Sequence, residues 1–220
     1  MKNNASTAAK RETLARKAYT VLENLILTLK LKPGSVITER ELMEATGLSR
    51  TPLREAILRL SRERLLKVLP HKGVMINEVN IMEFLAILET RRALDALIAE
   101  KAAGRATEEE RNALQRIGME MKRASTQKHL SEFLALDRAF DEVVAQACKN
   151  PFAVRAVKPA HAHCRRFWFM HKHHGDLRRA ASLHSSLINA IVAGNARASA
   201  DASNRLIDYL LAFTKKTIHL

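Results

Sequence analysis

Residues 38–77 read TERELMEATGLSRTPLREAILRLSRERLLKVLPHKGVMIN, and their pattern is helix, tight turn, helix, then a small β-wing. Thr38 stands as an N-cap, and Glu41 three residues on can bond back to it, a capping box. Thr46-Gly47 stops that helix, because glycine supplies the positive φ of a tight turn. The second helix follows, capped by Ser49 or by Thr51, with Pro52 in the first turn where its missing N–H costs nothing. Leu53, Ala56, Ile57 and Leu60 recur at i, i+3, i+4, i+7, one apolar stripe that needs a core. Arg50, Thr51 and Arg54 fall off that stripe at the exposed helix start. A helix N-terminus carries partial positive charge and free N–H groups, and arginine grips the acceptor edge of guanine with two bonds. Leu65 to Leu69 and Val74 to Ile76 read as strands around the turn Pro70-His71-Lys72-Gly73, a small basic tip that fits a minor groove. The simpler reading of the same residues is a helical hairpin with a solvated arginine face. The order of hairpin, first-turn arginines and basic tip favours a nucleic-acid reader.

These residues carry a resemblance. The segment from Ile37 through Leu66, with LSRTPLREAILRL at its centre and His71-Lys72-Gly73 beyond, resembles the winged helix-turn-helix of GntR-type bacterial transcription regulators. The resemblance implies DNA-binding roles for seven residues. Arg40 would hold a phosphate, Arg50 and Arg54 would read bases, Ser49 and Thr51 would bond the backbone, and His71 and Gly73 would sit at the groove. The rest of the chain resembles the all-helical ligand-binding (FCD) domain of the FadR-like branch.

Composition sets the outer bounds. The chain has 220 residues, 47% of them hydrophobic, so one or two cores can form. Lysine and arginine number 37 against 23 acidic residues, a formal net charge of +14. That excess favours an anionic partner such as nucleic acid or an acidic membrane surface, and by itself shows neither fold nor sequence specificity. Two cysteines, Cys148 and Cys164, are too few for a disulfide framework and fit a reducing compartment. No apolar run is long enough to span a bilayer and the N-terminus lacks a signal-peptide core, so the expectation is a cytoplasmic protein without membrane contact.

The pattern along the chain predicts a mainly α protein: an N-terminal winged helix-turn-helix and a C-terminal antiparallel six-helix bundle. Residues 1–12 read as a flexible tail, with Lys10 and Arg11 near DNA; 13–78 as the DNA-binding domain, its first helix at 13–30; and 79–220 as the helical effector and dimerisation domain. Ser35-Val36-Ile37 can add a strand to the wing. Within the bundle, Asn80 is a cap, Gly104 a stop, Thr107-Glu110 a second capping box, and Asn150-Pro151, Gly175 and Gly194 are further breaks.

Asp137 and Asp141 are four apart and share one helix face. By the resemblance, a bundle metal site uses an Asp, a His four later, a His on the next-to-last helix and a His on the last. Asp137 and His184 match, Asp141 stands in place of a histidine, and Leu206 falls at the fourth position. Asp137, Asp141 and His184 are therefore the candidate ligands of one divalent ion, zinc or similar, against the alternative of paired aspartates and a satisfied core histidine. Arg91 matches an arginine that, in the resembling family, grips a carboxylate effector; Asp95, four on, is a competing partner. Arg91, Asp137, Asp141 and His184 make the candidate effector site: an organic acid is the simplest guest if Arg91 faces the cavity rather than the surface, whereas two carboxylates without a metal repel an anion and admit a cation or a polyol. His161, His163, His171, His173 and His174 straddle a helix end without a carboxylate at ligand spacing, and read as surface imidazoles. Cys164 reads as packed. No nucleophile–base motif or phosphate loop occurs, so no enzyme is expected.

The reading is a ligand-responsive repressor that binds a palindromic operator as a homodimer. Its rivals are a metal-dependent helical enzyme built on Asp137, Asp141 and His184, and a basic protein that coats DNA without reading sequence.

Overall fold

A computed structural model describes the backbone of residues 2–173 and 175–218, with side chains for 14–173 and 175–217. Residues 2–12, expected as a flexible tail, are helical in backbone and continuous with the helix expected from residue 13; the side chains of Lys10 and Arg11 lie outside the described residues. The chain divides into two compact units, Met1–Asn80 and Ile81–Leu220.

The first unit holds α1 (Lys2–Leu27), β1 (Val36–Ile37), α2 (Glu39–Thr46), α3 (Arg50–Arg62), β2 (Leu66–Leu69) and β3 (Gly73–Ile76). Thr38 and Glu41 form the reciprocal capping box that opens α2, and Gly47 closes it at φ 66°. Ser49 occupies the N-cap position of α3, but its side chain makes no cap hydrogen bond. The predicted stripe faces inward: Leu53, Ala56, Ile57 and Leu60 are buried, and α1 brings Ala18, Leu22 and Ile26 against them. Burying each large aliphatic side chain contributes about 1.5–3 kcal/mol, so this seam fixes α3 against α1. At its edge Arg59 lies over the Tyr19 ring at 3.8 Å and bonds Glu63, while the Tyr19 hydroxyl donates to Glu63 at 2.6 Å.

The three strands form one antiparallel sheet in the order β1-β3-β2. Val74 opposes Ile37 on one side and Val68 on the other. Leu69 pairs with Gly73, so Pro70, His71 and Lys72 make the hairpin tip. Gly73 has φ 106°, and a Cβ there would lie 2.3 Å from the Ile37 carbonyl oxygen. The close approach of β1 to β3 thus requires glycine.

The second unit is six helices: α4 (Ile81–Arg105), α5 (Glu108–Gln127), α6 (Leu130–Cys148), α7 (Pro151–Met170), α8 (Leu177–Val192) and α9 (Ala196–Ile218). Helix α4 is central and packs on α6, α7, α8 and α9. Ile98, Leu114, Phe140, Val144, Val157, Leu187 and Ile191 belong to one core. A second, aromatic layer stacks Phe84 on Phe167 at 4.0 Å and Trp168 on Phe213 at 5.0 Å. Gly104 is not the stop the sequence predicts. It lies inside α4 without a positive φ, and the helix ends one residue later, before the capping box of Thr107 and Glu110. Among the described residues, no helix is long and apolar enough to cross a membrane.

Candidate functional site

The first unit presents one exposed polar surface at the start of α3. Burial of Pro52 and Leu53 turns Arg50, Thr51 and Arg54 outward, and all three are exposed, as is Ser49. The Arg54 Nε donates to both Glu39 carboxylate oxygens, at 3.0 and 2.8 Å, which orients the side chain from α2. Arg40 is 85% exposed beside Glu44, at 3.9 Å. His71, at φ 62°, and Lys72 are exposed at the wing tip, whereas Gly73 is half-buried and fixed by backbone crowding. A helix start with two guanidinium groups and no acidic residue in its first turn suits an anion.

In the second unit, Arg91, Asp137, Asp141 and His184 line one cavity of about 40 Å³ between α4, α6, α7, α8 and α9. Phe133, Trp168, Leu206 and Tyr209 supply much of the remaining wall. The sequence reading missed two residues of this site, His161 and Arg165. His161 is not a surface imidazole: its side chain is 11% exposed, and Nε2 lies 2.8 Å from Asp95 and Nδ1 2.9 Å from Asp141. Its carboxylate partners come from α4 and α6, so no spacing along α7 reveals them. What α7 does show is His161, Arg165 and Trp168 at i, i+4, i+7, one face. The other histidines of the run differ: His173 is exposed, His163 and His171 are half-buried, and His171 leans on the Phe167 ring. His174 lies outside the described residues.

Arg165 Nη1 sits between the two aspartates, 3.0 Å from Asp137 Oδ2 and 2.6 Å from Asp141 Oδ2. His184 closes the ring, with Nε2 3.1 Å from Asp137 Oδ1 and Nδ1 2.9 Å from the Ala180 carbonyl. Arg91 is buried as an interior arginine, but its Nε donates to Asp95 Oδ2 at 2.8 Å, the competing pair named above. Arg92 turns away and pairs with Asp208 on α9. Cys164 is buried, and burial pushes its thiol up, so it stays protonated.

The electrostatics follow from these contacts. Burial raises Asp95, but Arg91 and then His161 outweigh it and hold the carboxyl down at about 2. Burial likewise opposes ionisation of Asp141, and His161 and Arg165 reverse it. Asp137 is pushed up by burial and by Asp141, yet the bond to His184 and the Arg165 charge leave it below its ordinary value. Burial lowers His161, but Asp141 and Asp95 raise it to about 9. His184 is lowered by burial and carried above its ordinary value by its bond to Asp137.

The three proposed metal ligands do come together, but not as a metal site. The space between Asp137 and Asp141 is filled by a guanidinium nitrogen, Leu206 adds no donor, and among the described residues no cluster of His, Cys, Asp or Glu can hold an ion. A divalent cation would have to displace Arg165 and the proton on His184 Nε2. The residues do not fit the ion that the resemblance implies.

A winged helix with outward arginines, joined in one chain to a helical unit with a polar interior cavity, defines a DNA-binding regulator with a separate sensor. Comparison with known proteins agrees. The model of the bacterial regulatory proteins of the gntR family matches residues 14–76, and that of the FCD domain matches 86–209. A helix-turn-helix transcriptional regulator of Streptomyces ambofaciens is 30% identical over 213 residues, covering 94% of this chain and 82% of its own. The Escherichia coli repressor RspR is 26% identical over 131 residues, 60% of this chain and 58% of that protein. The solved structure of E. coli McbR/YncC superposes with a TM-score of 0.82 at 19% identity, covering 93% of this chain and 98% of that one. The chain belongs to the GntR family of transcription regulators, with an FCD domain as its second unit, and is not an enzyme.

Proposed function

We propose that the protein is a sequence-specific repressor that binds a palindromic operator as a homodimer and responds to a small metabolite in the helical unit. The observation that carries the reading is the start of α3, where the buried stripe leaves Arg50, Thr51 and Arg54 facing solvent. Arg50 and Arg54 read base edges in the major groove. Arg40, Ser49 and Thr51 hold phosphates, and the tip at His71 and Gly73 enters the adjacent minor groove. The net charge of +14 adds a salt-dependent attraction common to all sequences. A two-fold dimer presents two such helices, so its operator carries two related half-sites. The effector, a small organic acid, occupies the cavity lined by Arg91, Asp137, Asp141 and His184. It alters DNA affinity through the coupling between its own two binding constants.

Operator selection from a random duplex pool, followed by titration over a salt series, tests this. The wild-type protein should prefer the selected palindrome to its scrambled counterpart at every salt concentration. Arg54→Ala should weaken operator binding by about 1–3 kcal/mol, with a much smaller loss on scrambled DNA. Equal affinity for both duplexes would identify a non-specific DNA coat instead.

A further inference from the structure

The donor and acceptor count of the buried site fixes its charge. Both ring nitrogens of His161 face carboxylate oxygens, of Asp95 and Asp141. Both nitrogens of His184 face acceptors too, the Ala180 carbonyl and Asp137. A nitrogen can meet an ionised carboxylate or a carbonyl only as a donor, so each ring carries two protons and one positive charge. Shifting a proton from an imidazole to its carboxylate partner would leave the sum unchanged. Arg91 and Arg165 bring the cations to four, against three carboxylates, Asp95, Asp137 and Asp141. The network therefore holds one uncompensated positive charge, a costly state for groups out of water.

A second observation places it. Arg165 lines the cavity with its side chain 10% exposed, and its buried Nε has no hydrogen-bond partner. Its Nη1 already serves Asp137 and Asp141.

We propose that Arg165 is the resident cation of this site, in the space a divalent ion would need, and that its guanidinium holds a small organic anion without any metal. This rests on the reading of the cavity as the effector site and adds to it the gripping residue and the metal independence. Arg91 keeps Asp95 in place, and His161 and His184 lock the three carboxylates, so the incoming anion neutralises the network rather than competing with Asp137 and Asp141.

Isothermal titration of the full-length protein with acetate, succinate and citrate, with and without EDTA, tests the proposal. Glycerol and putrescine serve as neutral and cationic probes, and zinc content is measured by mass spectrometry after zinc loading and dialysis. At least one acid should bind with the same Kd in EDTA, and zinc should stay well below one per chain. Arg165→Met, checked for folding by Trp168 fluorescence, should weaken that binding by about tenfold or more. If this variant does not fold, EDTA insensitivity and zinc content of the wild type still decide. Stoichiometric zinc with binding lost in EDTA would overturn the proposal, as would unchanged affinity in folded Arg165→Met. Preference for glycerol or putrescine would overturn it together with the organic-acid assignment, while leaving the cavity as the effector site. Silence with every probe would overturn the effector reading itself.

Discussion

His161 offers the sharpest test of the buried network, because its charge is set by two carboxylates that the sequence places far away. Its folded-state value is raised from 6.5 to about 9. At 1.36 kcal/mol per unit that shift corresponds to about 3 kcal/mol of stability. A group raised on folding stabilises fully below its unfolded value and loses that contribution as pH climbs through its folded value. The helical unit should therefore lose about 3 kcal/mol between pH 6.5 and a little above 9 on account of this residue. The groups facing it keep their charge across that window. Asp95 from α4 and Asp141 from α6 are held low, Arg91 and Arg165 stay cationic, and burial pushes the Cys164 thiol above its ordinary value. His184, also raised, adds a loss of the same sign, so the comparison must be with a variant. His161→Gln should be less stable than wild type at pH 6 by about 3 kcal/mol, the stabilisation its raised value reports, with Arg91 and Arg165 still pairing Asp95 and Asp141. The gap should shrink steadily as pH rises toward 9.5. Urea unfolding followed by Trp168, the single tryptophan and a wall residue of the cavity, reads this unit directly. A gap that stays constant from pH 6 to 9.5 would refute the assignment of a charged imidazole.

Two further substitutions test the winged unit. Gly73→Ala places a Cβ against the Ile37 carbonyl at a positive φ, and should cost the sheet roughly 3 kcal/mol or more; a lowered far-UV thermal midpoint would show it. Thr38→Ala removes the hydroxyl that accepts from Glu41 N at 3.2 Å, and should cost about 1 kcal/mol. Hydrogen exchange in the first turn of α2 should rise in that variant while exchange in α4 to α9 stays as it was.

The winged unit is nearly all legible along the chain. Its signals are local: a threonine three residues before a glutamate, a glycine between two helical periods, a stripe at i, i+3, i+4, i+7. Each is a statement about neighbours within one turn, so the sequence contains both partners of the interaction. The same holds for the six later helices, with Gly104 the exception. A glycine can end a helix but need not, and here no left-handed turn follows it.

The interior of the bundle is a different matter. Asp137 and Asp141 on one face, and His184 as a core histidine, were within reach of spacing arguments. His161 was not, because its burial depends on Asp95 and Asp141, which lie on helices that only packing brings beside α7. Read along its own helix, it is one of five histidines near a helix end. The i, i+4, i+7 line through Arg165 and Trp168 was the available signal, and the dense run of neighbouring histidines obscured it.

Apart from residues 2–12 and the end of α4, the sequence by itself determined which segments are helix, strand and turn, and which face of α3 must be buried, since those follow from periodicity and caps inside each segment. Only the tertiary structure decided that a guanidinium stands between Asp137 and Asp141, and that four cations meet three carboxylates there. Charge balance belongs to a volume, and the groups that share this volume come from four separate helices.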